Sequence, residues 1–257
     1  MTGHILIPYR YAYLFGSLYL LAIWLFFYWR IPEIRKTLIF FSLSIAWLGL
    51  IAEYFWFLKD WWHPITITRT KLGIEDFIAS VTHITIPAFL YKYVFSKKVS
   101  KLKIYPRDIK SFSLRFFGPL LPLALFFLLL HYYLGYHIAW GFSICIALAD
   151  FILVFNRPDL FVPALWSGIL FDLILFVMFS LGNILSPGVF AALWDKSVLA
   201  GLKIFNVPVV DYIFSFFWGF GGGVAYEYIF NLRIENSDGP GLKKDLKALK
   251  RIILSKV

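Results

Sequence analysis

Glu75 and Asp76 stand side by side at the head of a stretch that reaches Tyr91 with no further acid or base except His83. Acids are expensive at membrane depth and seldom sit there without a role. Two crowded carboxylates tend to hold one proton between them, and an acid kept protonated is what general acid chemistry needs. The stretch returns 135 residues later: Gly73-Ile74-Glu75-Asp76-Phe77-Ile78-Ala79-Ser80 is echoed by Pro208-Val209-Val210-Asp211-Tyr212-Ile213-Phe214-Ser215. Asp76 corresponds to Asp211 and Ser80 to Ser215, while Glu75 corresponds to the uncharged Val210. At helical spacing Asp76, Ser80, His83 and Pro87 form one stripe, and Asp211, Ser215, Trp218 and Gly222 form its counterpart. Polar faces in membrane helices point inward, so both stripes are expected to line one internal cavity. Glu53 is a further acid at similar depth, whereas Glu227 and Asp150 are expected towards the opposite side. Each residue also has a plainer reading. Asp76 and Asp211 would suit the positive end of a helix. His83 could be a satisfied polar residue, Glu227 a packing acid, and Trp61, Trp62 and Trp194 interface anchors.

These residues must be positioned by membrane helices. The chain is 60% hydrophobic with a mean hydropathy of +0.75, which fits an integral membrane protein of the cell membrane rather than a soluble domain. Seven runs are long enough to cross a bilayer: Tyr11–Trp29, Leu38–Leu58, Ile74–Phe95, Ser113–Tyr133, Tyr136–Phe155, Leu160–Ile184 and Val209–Leu232. With the N-terminus outside, 19 Lys and Arg fall on the inner side and six on the outer, which predicts an N-out, C-in, all-α multi-pass protein. The third and seventh runs then both start at the outer face, and their acids share one depth.

A parallel repeat follows. Residues 1–98 form a first three-helix repeat, 99–134 a basic loop and linker helix, 135–234 a second three-helix repeat, and 235–257 a basic amphipathic tail on the cytoplasmic face. Sites in parallel-repeat membrane folds lie between the repeats. Ile65 to Thr70, just before the first acid, alternates in a way that suits a short extended segment. The tail sets Leu242, Leu246, Leu249 and Ile253 at helical spacing among lysines, as a helix lying on anionic lipid would.

The net charge of +10 is read as basic cytoplasmic loops, and no nucleic acid is expected. The lone Cys145 excludes an intrachain disulfide and a cysteine-built zinc site. No metal or cofactor is expected, since no histidine or cysteine spacing suggests a ligand set. The run Gly219, Gly221, Gly222, Gly223 reads as close helix packing, because it does not open a helix after a strand. The last run has no lysine to hold a retinal Schiff base.

The doubled motif resembles the integral-membrane carotenoid cyclases: lycopene cyclases built of two homologous three-helix halves, separate or fused. Their signature is Pro-x-Glu-(Glu/Asp) at the head of an aromatic-rich helix, once per half. Here the first copy has Gly73 for the proline, and the second has Val210 for the first acid. Trp194, the Ala200-Gly201-Leu202-Lys203-Ile204 lead-in and Tyr226-Glu227 also fit. The resemblance implies acid-catalysed, non-redox ring closure of a membrane-dissolved polyene. Glu75 would be the proton donor, Asp76 its tuning neighbour and Asp211 the partner acid or base. Supporting residues would be Glu53, Trp61, Trp62, Ser80, His83, Trp194, Ser215, Trp218 and Glu227. The 54 aromatic residues among 257 could stabilise a cation. A non-catalytic carotenoid or lipid carrier and a proton-coupled transporter are the alternatives, and homo-oligomerisation is left open.

Overall fold

The computed structural model describes residues 6–32, 35–101, 118, 121–237 and 241–254. Its long helices are α1 (Tyr9–Arg30), α2 (Arg35–Ala52, prolonged by a π-helical turn Glu53–Phe57 and by Leu58–Asp60), α3 (Ile74–Val94), α4 (Leu121–Tyr133), α5 (Ile138–Asn156), α6 (Phe161–Leu185) and α7 (Val209–Ile229). The tail helix is α8 (Leu242–Leu254). Most of the basic loop and the start of the fourth apolar run lie outside the described residues. Four helical stretches are long and apolar enough to cross a membrane: Tyr9–Arg30, Leu38–Asp60, Ile138–Asn156 and Pro158–Leu185. They expose many large apolar side chains, including Phe40, Trp47, Phe151 and Phe155, as lipid-facing helices do.

The two helices that carry the acids are of a different kind. α3 and α7 form the centre, and each buries about half its length or more. They pack on each other; α1 and α2 flank α3, and α5 and α6 flank α7. Small residues permit the closest approaches. A side chain at Gly219 would strike Phe171, one at Gly221 would strike Asp150, and one at Gly223 would strike Ser167. The glycine run is therefore a packing device, as its position suggests.

Ordered ends fix α3 and α7 side by side in the same direction. Beyond their C-termini, β1 (Lys97–Lys101) pairs antiparallel with β4 (Leu232–Asn236), Val99 facing Ile234 at the centre. Before their N-termini, Trp62 and Trp194 form an isolated bridge. The expected extended segment at Ile65–Thr70 is not a strand. It turns, with Arg69 N–H donating to the Thr66 carbonyl and Arg69 at φ 57°. A tight hairpin of β2 (Lys203–Ile204) and β3 (Val207–Pro208) leads into α7 instead, with Phe205 and Asn206 at positive φ.

Below their heads the two polar stripes meet at His83 with Trp218 and at Pro87 with Gly222. Pro87 removes an N–H from α3 and leaves the His83 carbonyl without its helical donor. Trp218 Nε1 of α7 donates to that carbonyl at 2.9 Å. A side chain at Gly222 would meet Pro87 in ordinary van der Waals contact. At the far end the tail is clasped: Asp245 accepts from Arg30 and Tyr93, which hold its carboxyl down to about 2.

Candidate active site

The head of α3 is built by three elements. Its N-terminal amides lack helical partners, and Asp76 supplies one locally, its Oδ2 accepting from Gly73 N–H at 2.6 Å. Asp76 Oδ1 accepts from the Tyr13 hydroxyl of α1 at 2.7 Å. One turn on, the Ser17 hydroxyl donates to the Glu75 carbonyl at 3.2 Å. The turn before α3 closes over Glu75, whose Oε1 accepts from Ile67 N–H at 2.6 Å. Glu75 is fully buried, and its Oε2 has no hydrogen-bond partner among the described residues.

Glu53 completes this group. It opens the π-helical turn of α2, a local distortion frequent at functional sites. It is 6% exposed, and its Oε1 also lacks a partner. Its neighbours are the Trp62 indole and Asp76. Tyr13 sits within electrostatic reach of Glu53, Asp76 and Glu75 together, with its ring edge-on to Trp62 at 4.8 Å. The first head thus holds three carboxyl groups around one phenol, and two carboxyl oxygens are unpartnered.

The head of α7 is different. Asp211 accepts from Trp61 Nε1 at 2.7 Å and from Trp194 Nε1 at 2.8 Å, so each oxygen has an indole donor. The two indoles come from different parts of the chain. Trp61 ends α2, whereas Trp194 precedes α7 on the short segment after Val189–Leu193. The Ser215 hydroxyl donates to the Asp211 carbonyl at 2.6 Å. Val210 is buried in an apolar cluster with Trp61, Ile138 and Val198.

The structure joins the two heads through aromatic rings. Trp61 lies edge-on to Phe57 and Phe214, each at 4.9 Å, and Trp62 meets Trp194 at 5.6 Å. Such faces can stabilise a cation once water is excluded, by roughly 2 kcal/mol per desolvated contact.

Other expected site residues lie elsewhere. Ser80 packs against Gly49 of α2. His83 Nδ1 is engaged with the Ala79 carbonyl at 2.9 Å, and the ring lies edge-on to Phe171. Trp218 serves the His83 carbonyl. Glu227 is at the opposite end of α7, in a buried ion pair with Lys92 Nζ at 2.6 Å. Lys92 belongs to α3 and is buried. Among the described residues no three His, Cys, Asp or Glu are grouped as metal ligands.

Sequence reasoning missed Tyr13 and Lys92. The signal for Tyr13 was its i, i+4 relation to Ser17 in an otherwise apolar helix, since both face α3. The signal for Lys92 was arithmetic: it lies 135 residues before Glu227, the offset that relates Asp76 to Asp211.

No curated protein and no solved structure matches the chain. Residues 136–229, which span α5, α6 and α7 with the Trp194–Asp211 pair, match the family model described as lycopene cyclase, and this match supports a lycopene cyclase domain family.

Proposed function

We propose that the chain is a carotenoid cyclase that closes the end-group ring of a linear, lycopene-type polyene by acid catalysis within the membrane. The observation that carries this reading is the unpartnered Oε2 of Glu75, fully buried at the first head. Asp76 and Asp211 each accept hydrogen bonds at both oxygens, which suits carboxylates fixed in place. Glu75 has one oxygen accepting from Ile67 N–H and the other available to carry and deliver a proton. Its proton adds to the terminal alkene and leaves a tertiary cation. A neighbouring double bond closes on that cation, and loss of a proton restores neutrality. Dry, aromatic surroundings keep the cation from being trapped by water.

The two-repeat, N-out, C-in arrangement of seven crossings is part of the proposal. A twofold axis along the membrane normal would bring residues 135 apart face to face near it. His83 meets Trp218, Pro87 meets Gly222, Lys92 meets Glu227 and Val99 meets Ile234, all at that offset. In the strand pair Lys97 faces Asn236 and Lys101 faces Leu232, the reciprocal pattern a twofold requires. α8 would lie on anionic lipid at the inner face.

Expression in lycopene-accumulating cells followed by pigment chromatography tests the function. Ring-bearing carotenoid is expected from the wild type and none from Glu75→Gln. Unchanged lycopene alongside well-folded wild-type protein would overturn the reading.

A further inference from the structure

We propose that Glu53 is the base of the reaction: it takes the proton that the ring-closed cation must lose. This rests on the cyclase reading above and adds a residue outside both copies of the repeated motif. Three observations point to it. Glu53 is 6% exposed and keeps an oxygen, Oε1, without a partner. The carboxylates of Asp76 and Asp211 already accept one hydrogen bond at each oxygen, which makes them weaker proton acceptors than a carboxylate with a free oxygen. Glu53 and Glu75 also both lie within electrostatic reach of Tyr13, which puts them in one group at the first head. The second head, with Val210 in place of an acid, contributes indoles instead.

The step balances without any further reactant. Glu75 Oε2–H gives its proton to the terminal alkene, whose electron pair forms the new C–H bond. The neighbouring double bond forms the ring C–C bond and moves the positive charge into the ring. Glu53 Oε1 takes the proton from the carbon next to that charge, and the released pair becomes the ring double bond. Glu53 ends protonated and Glu75 charged. Return of the proton from Glu53 to Glu75, past Tyr13 and Asp76, resets the site for the next turnover. The two acids thus exchange one proton per ring and carry opposite tasks.

The experiment separates the two acids by isotope. Full-length protein in membranes loaded with lycopene is incubated in heavy water, and ring formation and deuterium in recovered lycopene are both measured. The wild type is expected to form rings carrying deuterium at the protonated carbon. Glu75→Gln should show neither rings nor exchange. Glu53→Gln should lose rings by about a hundredfold or more while lycopene still gains deuterium at the terminal alkene, because the cation forms and returns. Glu53→Asp, which withdraws the carboxylate by one methylene, serves as the second variant and should show the same split in milder form. Rings at the wild-type rate in either variant would overturn the proposal for Glu53 and leave the cyclase reading intact. Loss of exchange together with rings in both folded variants would also overturn it. A wild type that neither cyclises nor exchanges would sink the cyclase reading and this inference with it.

Discussion

The heads of α3 and α7 share an acid, an isoleucine and a serine at the same spacing and end as different chemical environments. The divergence starts at one position. Gly73 has an N–H, and Asp76 accepts it; Pro208 has none to give. Asp211 therefore takes its donors from side chains, Trp61 and Trp194. The next position widens the gap. Glu75 adds a second buried carboxyl with a free oxygen, while Val210 fills its place with packing. Two helix starts of similar backbone thus differ in chemistry chiefly at the position before the acid and at the residue that caps the helix.

The sharpest way to break this contrast is to remove each head's acid in turn. Glu75→Gln keeps the size of the side chain and should lower ring formation by roughly 10²–10⁴-fold, the usual contribution of a general acid. Asp211→Asn should act through the fold instead. Its amide would turn an N–H towards one of two indole donors, lowering thermal stability, while ring formation per folded molecule falls far less. Equal losses in the two variants, measured by pigment chromatography against folded protein, would erase the distinction.

Much of this was legible in the sequence, and for stated reasons. The two acidic heads, the apolar runs and the offset of 135 are local patterns that survive without coordinates. The partners of the acids are not local. Trp61 reaches Asp211 from 150 residues away, and Tyr13 reaches Asp76 from 63. The i, i+4 spacing of Tyr13 and Ser17 marks a polar face on α1 but does not name Asp76 as its partner. The alternation at Ile65–Thr70 misled because the segment answers to Glu75, which recruits Ile67 N–H and bends the chain into a turn.

The contrast between halves continues at the other end, where Lys92 of one helix stands against Glu227 of the other. Both are buried, and positions 135 apart here carry opposite charge. Lys92→Met would leave Glu227 charged and alone, at a cost of about 3–5 kcal/mol. The double variant Lys92→Met, Glu227→Met should recover most of that loss, since a packed apolar pair is often neutral by comparison. Thermal unfolding in detergent reads both. A single variant as stable as the wild type would mean the pair does not join the halves.

A smaller loss is expected where the second head borrows from the first half. Trp61→Phe keeps the ring against Phe57 and Phe214 but deletes the donor to Asp211 Oδ1. A hydrogen bond to a charged group contributes about 1.5–3 kcal/mol, and unfolding should register that amount. Removing Trp194's indole donor instead should cost a similar amount if the two share the carboxylate evenly.

The smallest effect tests the α3–α7 contact itself. Trp218→Phe should cost about 1 kcal/mol, because its N–H serves the His83 carbonyl at 2.9 Å. That carbonyl lacks a helical donor only because Pro87 has no N–H. Pro87→Ala would supply one from within α3. In the Pro87→Ala background, then, Trp218→Phe should cost measurably less than it does alone, and the cycle of four proteins gives the coupling directly. Additive effects would show that the indole packs beside α3 without replacing its missing bond. Coupled effects would mean that a helix broken in one half is repaired by a residue 135 positions away in the other, so the two halves diverge in sequence while remaining complementary at their contact.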